Sequence, residues 1–217
     1  MAMVYSLLYD YCDKKVIKMT SKQLKSKQRK QGIAARKSIP AELANSYNQS
    51  ISGKLLSLEV YKKACTILSY QSFGGEVDLT LFNQSAARDG KKVAFPISES
   101  GMILIAAIPL GENSWELGKF GIRAPVKEES QLLAPEEIDL VLVPCTAFST
   151  QKLMRIGMGA GYYDRFLPKC QNAKSIAVAF EAQKIDDIWT DSWDVPLDGI
   201  VTESGIWGSL KQSHQPS

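Results

Sequence analysis

The densest chemistry in the chain lies in the segment Arg155-Ile156-Gly157-Met158-Gly159-Ala160-Gly161-Tyr162-Tyr163-Asp164-Arg165. Glycines at alternate positions remove three Cβ atoms, so backbone N–H groups can converge on an anion, and at least one glycine is expected at positive φ. Arg155 offers a planar guanidinium for phosphate oxygens. Asp164 offers a hard oxygen ligand for a Mg2+ that also touches phosphate. A helix expected from Tyr162 would add partial positive charge at its start. The segment is equipped to hold a polyphosphate. The competing reading is a plain helix-entry turn. Two familiar glycine motifs do not fit. A P-loop needs GxxxxGK[ST], and no Lys-Ser/Thr follows here. A dinucleotide fingerprint needs GxGxxG straight after a strand, and here the third glycine falls one position early.

Three further groups bear on the same chemistry. Lys25, Lys27, Arg29, Lys30, Arg36 and Lys37 crowd one helix-friendly stretch, either as a solvated face or as cations for phosphates. Trp193-Asp194-Val195-Pro196-Leu197-Asp198 places acids on both sides of a rigid turn, either as turn caps or as ligands for a hard cation. Gly75-Glu76-Val77-Asp78 reads as a loop that ends in a helix cap. The only histidine, His214, stands four residues from the end. A Ser-His-Asp triad or a His-rich zinc site is therefore not expected, and catalysis falls to carboxylates, Lys/Arg, Tyr, backbone amides or an oxygen-held metal.

These residues need a scaffold, and the chain is long enough for one domain with one core: 217 residues, 45% hydrophobic and 23% charged. A net charge of +3 is too small to argue for nucleic acid. No apolar run approaches the ~18 residues that span a bilayer, and Met1–Cys12 lacks the positive start of a signal peptide. Cys12, Cys65, Cys145 and Cys170 form no CxxC pair and read as reduced thiols of a cytoplasmic protein.

Helices are expected over 21–37, with Ser21 as N-cap, over 41–58 up to the breaker-free end, from Asp78 toward Arg88, and over 162–167. Strands are expected over 64–70, 92–95, 102–108, 139–143, 175–180 and 199–202. Residues 111–129, rich in Gly, Pro and charge, read as a long loop. Strands alternating with helices imply a parallel sheet covered on both faces.

Taken in order, the basic helix, SYQSFGGEVD, FGIRAP, DLVLVPCTAF, RIGMGAGYYDRFL and WDVPLDGIVTE resemble the 5-formyltetrahydrofolate cyclo-ligase family over about residues 21–208. Residues 1–20 then form an extension outside the family pattern, and 209–217 a polar tail. The resemblance implies a single-domain, three-layer α/β sandwich with a mainly parallel sheet. The implied reaction is ATP-dependent closure of 5-formyltetrahydrofolate to 5,10-methenyltetrahydrofolate. The formyl oxygen attacks the γ-phosphate, N10 then attacks the activated carbon, and phosphate leaves. Residue by residue, the family pattern implies ATP contacts from Lys25, Ser26, Lys27, Gln28 and Arg29. It implies others from Arg155, Ile156, Gly157, Met158, Gly159, Ala160, Gly161, Tyr162 and Tyr163. Folate would touch Gln71, Glu76, Trp115 and the stretch from Met158 to Tyr162. Mg2+ would sit on Asp164 and Asp198, and Arg155, Tyr163 and Lys25 form the expected catalytic set.

The chain departs from the pattern in four places. The stretch Ser149–Met154 lacks the usual glycine, Trp193 replaces a frequent His, Ala124 replaces a Glu, and Gln28 replaces a Leu. The expected partners are folate and ATP, with neither nucleic acid nor membrane, and the expected state is a monomer. A non-catalytic folate- or nucleotide-binding module on the same fold is the alternative. An RNA-binding role for the basic helix is disfavoured, because RNP-like aromatics and a KH loop are missing.

Overall fold

The computed structural model describes residues 20–118 and 121–210, so Cys12, His214 and nearly all of the expected extension and tail lie outside the described residues. Helix α1 (Ser21–Lys37) spans the expected residues, but its cap lies one residue earlier than expected. Thr20, not Ser21, is the N-cap: its hydroxyl accepts from Gln23 N–H, and the Gln23 side chain accepts from Thr20 N–H at 2.8 Å. Thr-x-x-Gln satisfies two otherwise orphaned donors and so outcompetes the neighbouring serine. Helices α2 (Ala41–Ser57), α3 (Glu59–Lys63) and α4 (Thr80–Arg88) follow. Asp78, expected as the cap of α4, stands one residue before the N-cap Leu79, and its carboxylate accepts from Thr80 N–H at 2.8 Å.

Five parallel strands form the centre of the sheet: β1 (Thr66–Leu68), β2 (Lys92–Ser98), β7 (Leu140–Pro144), β10 (Lys174–Val178) and β11 (Gly199–Val201). Strands β3 (Leu104–Pro109) and β6 (Ser130–Leu133) extend one side antiparallel, and β12 (Ile206–Gly208) closes the other. The resulting order is β12-β11-β10-β7-β1-β2-β3-β6. The sheet is therefore mixed, and mainly parallel. Residues 111–129, expected as loop, contain a small hairpin of β4 (Trp115–Leu117) and β5 (Arg123–Pro125). Strands this short, broken by Gly and Pro, carry too few alternations to announce themselves.

Strand β7 shows why the sheet is covered on both faces. Leu140 and Leu142 pack with Ile51, Leu55, Tyr61 and Phe82 of α2, α3 and α4. Val141 and Val143 point the other way, against Phe166, Leu167 and Cys170, which belong to α5 (Tyr162–Phe166) and the turn after it. A continuous apolar strand is what burial on both faces requires. Among the described residues, no helix is long and apolar enough to cross a membrane.

Helix α1 lies outside both helical layers, across the carboxyl ends of the strands. It packs on the hairpin of β8 (Ala147–Ser149) and β9 (Met154–Ile156) and on the short turn Glu181–Gln183 after β10. Gly32 makes this approach possible. A Cβ there would stand 1.9 Å from the carbonyl oxygen of Thr146, so only glycine lets the helix rest on that backbone.

Candidate active site

Residues of α1 spaced three and four apart share a face, and that face points into the carboxyl end of the sheet. The Lys25 ammonium lies 2.8 Å from Asp191 and also binds Asp194. Burial alone would lower its pKa, but the two carboxylates outweigh burial and raise it. Gln28 donates to the carbonyl of Asp187 at 2.7 Å and accepts from Trp189 N–H at 2.8 Å. Arg29 donates from Nε to the carbonyl of Gly157 at 2.8 Å. About two turns further along, Arg36 donates to the carbonyls of Gly74 and Cys145 and sits 3.6 Å from the Glu76 carboxylate. Ser26 and Lys27 turn away. With Gln23 and Lys30 they line a separate shallow surface depression, because helical periodicity places them opposite the Lys25–Arg29 face.

The glycine segment leaves β9 and meets Arg29. Gly159 and Gly161 take φ of 107° and 71°, whereas Gly157 does not need a positive φ. A Cβ at Gly159 would come within 3.0–3.2 Å of the Arg29 guanidinium, and one at Gly157 would meet nothing within 4 Å. Arg29 is thus pressed against the loop, and among the described residues no carboxylate neutralises it. A guanidinium held by one carbonyl, with its other N–H groups free and flexible glycine amides beside it, is a site for an anion. Helix α5 is only five residues long, so its dipole adds less than the sequence suggested.

Arg155 is buried and donates from Nη2 to Asp164 Oδ1 at 2.9 Å and from Nη1 to the carbonyl of Val195 at 3.1 Å. Its guanidinium therefore organises the site from beneath rather than reaching out from the loop. Ile156 is buried beside it, while Met158 is exposed. The Tyr162 hydroxyl donates to the carbonyl of Glu99, outside the cation cluster. The Tyr163 hydroxyl is buried without a hydrogen-bond partner among the described residues. Burial and then the Glu76 charge raise its pKa, against the pull of Arg155. A buried hydroxyl with no partner, in the field of both groups, marks a place where a ligand atom belongs.

Glu76 follows β1 on the loop that also carries Gln71. Burial raises its carboxyl above the ordinary 4.5, while Arg36 and the Phe73 N–H pull it down. Burial also pushes the neighbouring Cys145 thiol up to about 12, so no thiolate nucleophile is on hand. Trp115, on β4, packs edge-on against Phe95 at 4.9 Å between centroids and lies under the Arg123 guanidinium at the same distance. It flanks β2 through Phe95.

Asp164 and Asp198, expected to share a cation, are not brought together. Asp198 precedes β11 at the amino end of the parallel strands. Both of its oxygens are engaged there, one by the Lys174 ammonium at 2.8 Å and the other by the N–H and hydroxyl of Ser175. Asp194, four residues earlier, is the neighbour of Asp164, because the next residue's N–H, that of Val195, donates to Asp164 Oδ1 at 3.3 Å. One carboxylate oxygen of Asp164 and one of Asp194 have no protein partner among the described residues. Asp191, bound to Lys25, is a candidate site residue that residue-type reasoning passed over, and Asp194, read only as one acid of the turn, takes the place expected for Asp198. The signal lay in the same acidic turn, whose first acid reaches the site while its last acid caps a strand.

The family model described as "5-formyltetrahydrofolate cyclo-ligase family" matches residues 21–203. The chain is 31% identical over 159 residues to a 5-formyltetrahydrofolate cyclo-ligase of Haemophilus influenzae, covering 70% of this chain and 83% of that protein. It is 26% identical over 178 residues to the Escherichia coli protein of the same description, covering 79% and 96%. Its fold matches the solution structure of the 5,10-methenyltetrahydrofolate synthetase of Aquifex aeolicus with a TM-score of 0.75 and 30% identity, over 89% of this chain and 100% of that one. Shared fold, ordered motifs and these matches lead to one statement: the chain belongs to the 5-formyltetrahydrofolate cyclo-ligase family.

Proposed function

We propose that the protein converts 5-formyltetrahydrofolate and ATP to 5,10-methenyltetrahydrofolate, ADP and phosphate, acting as a cytoplasmic monomer. The observation that carries this reading is the single face of α1. There Arg29 meets the glycine loop and Arg36 meets Glu76, so one rigid element sets an anion site against a partly buried carboxylate. Seven residues of helix put these two arginines roughly 10 Å apart along the axis, enough to hold a triphosphate and a pterin end to end.

The chemistry asks for alignment and charge neutralisation more than for a base. The formyl oxygen forms a bond to the γ-phosphorus as the bond to the ADP oxygen breaks. N10 then adds to the activated carbon and gives its proton to a phosphate oxygen, and the C–O bond breaks to release phosphate as the ring closes. Arg29, Lys25 and the amides of residues 157–161 hold the phosphate oxygens in line. Glu76 accepts from N–H groups of the pterin and fixes the formyl group's direction. The Tyr163 hydroxyl stays protonated and therefore acts as a hydrogen-bond donor to ligand oxygen, not as a base. Arg155 keeps Asp164 and the Val195 backbone in register beneath the phosphates. The donor set fits a Mg2+ bound with the nucleotide: Asp164 and Asp194 would hold it, with phosphates and waters completing its shell, and it would neutralise phosphate charge.

The test is isotopic. With 18O in the formyl group, the label is expected in the released phosphate. Unlabelled phosphate alongside methenyl product would contradict phosphoryl transfer to the formyl oxygen.

A further inference from the structure

We propose that the exposed indole of Trp193 is the stacking platform for the purine base of the nucleotide; this rests on the ATP reading above. Trp193 is 68% exposed, an unusual state for a side chain that normally buries a large apolar surface. Its exposure is not the accident of a loose loop. The segment is tied to α1 by Lys25 through Asp191 and Asp194, and by Gln28 through Asp187 and Trp189. It is tied from below by Arg155 and Asp164, which bind the carbonyl and N–H of Val195. The chain holds a flat aromatic face open to solvent on a fixed support.

Its position selects the occupant. The Lys25 ammonium stands 6.0 Å from the centre of the Trp193 ring, so the indole borders the cations that face the glycine loop. Along α1, Lys25 and the Glu76 partner Arg36 are about 16 Å apart. A flat ligand on Trp193 therefore belongs to the molecule whose anionic part lies at Lys25 and Arg29, not to the pterin at Arg36. A nucleotide has that composition: a base with a π-face at one end and a polyphosphate at the other. Stacking on an indole tolerates many bases, because every base has a π-face. Trp189, 42% exposed and held by Gln28, adds a second aromatic on the same segment.

The experiment compares wild type with Trp193→Ala, Trp193→Phe and Trp193→His. It measures the ATP and folate KM values, binding of inorganic tripolyphosphate, indole fluorescence and melting temperature. Trp193→Ala is expected to raise the KM for ATP about tenfold or more, the range that base–aromatic stacking supports. The folate KM, the tripolyphosphate affinity and the melting temperature are expected to stay at wild-type values. Trp193→Phe is expected to keep most of the ATP affinity, with Trp193→His between Phe and Ala. ATP, but not tripolyphosphate, is expected to quench a fluorescence component that Trp193→Phe lacks. Equal losses for ATP and tripolyphosphate, a loss confined to folate, or no loss in an ATP-consuming enzyme would overturn the stacking role and leave the ATP reading standing. Absence of ATP-dependent turnover in the wild type would overturn both.

Discussion

Asp164 Oδ1 accepts a hydrogen bond from Arg155 Nη2 at 2.9 Å and another from the Val195 N–H at 3.3 Å. This junction joins the start of α5 to the residue after Asp194, and Asp194 in turn holds Lys25 of α1. Three stretches far apart in sequence thus meet at two carboxylates, each with one oxygen that has no protein partner among the described residues. The first prediction below follows from that convergence.

Asp164→Asn and Asp194→Asn should each raise the Mg2+ concentration for half-maximal rate by about tenfold or more, since losing even an outer-shell partner costs a metal site that much. Asp198→Asn should leave the Mg2+ dependence unchanged and instead cost about 1–2 kcal/mol of stability, through the bonds to Lys174 and Ser175. Burial alone would raise the Asp198 carboxyl, but Lys174 and Ser175 hold it below the ordinary 3.8. Its contribution is therefore present above pH 3.8 and is lost as pH falls through the depressed value. Mg2+ titrations of rate and denaturation curves above and below that pH check both halves. A shifted Mg2+ dependence in the Asp198 variant alone would return the metal to Asp198.

Arg29→Ala and Glu76→Gln should separate the two ligands. The first should raise the KM for ATP about tenfold or more while leaving the folate KM near normal, because a charged hydrogen bond to phosphate is worth about 1.5–3 kcal/mol. The second should do the reverse. Steady-state kinetics with each substrate varied in turn are sufficient. Equal losses on both substrates in either variant would show that α1 does not divide the site in this way.

Gly32→Ala should destabilise the protein, although alanine in an ordinary helix is favoured by about 1 kcal/mol. The added Cβ would stand 1.9 Å from the Thr146 carbonyl oxygen, a backbone atom that cannot swing aside. The helix must shift, so both KM values should rise together with the fall in melting temperature. Gly53→Ala, in α2 and with open space at its Cβ, is the control and should be neutral or stabilising.

The Glu76 carboxyl should leave a signature in stability against pH. Burial raises its pKa above 4.5 despite Arg36. Between 4.5 and the raised value the folded protein keeps a proton that the unfolded chain has released, so this group's contribution falls as pH rises through that window. Glu76→Gln does not titrate. Denaturation at a series of pH values should therefore show the variant gaining on wild type as pH rises above 4.5. A difference independent of pH would contradict a raised carboxyl.

Much of the fold was legible because β7 and the basic helix carry strong periodic or unbroken patterns, and because the glycine segment has few alternative uses. The hairpins β4–β5 and β8–β9 were not legible, since strands of three residues leave too short a pattern. In the turn of the second hairpin Leu153 takes a φ of 51°, a conformation that its residue type does not announce. The site was readable by segment and less so by residue. WDVPLD was legible as a segment that reaches the carboxyl end of the sheet, but which of its acids lies nearer Asp164 depends on where β11 begins, and strand ends are the least certain part of any sequence reading. Arg155 looked like a phosphate ligand from its place beside the glycines, whereas its guanidinium is buried with its N–H groups turned to Asp164 and Val195. Side-chain direction in a strand of three residues cannot be assigned without its register.

The most direct test of the whole account mixes purified protein with 5-formyltetrahydrofolate, MgATP or neither nucleotide nor metal, and follows methenyl product by absorbance with ADP assayed in the same samples. The account predicts methenyl product only with MgATP, one ADP for each ring closed. Ring closure without ATP, or ATP consumption without methenyl product, would contradict it.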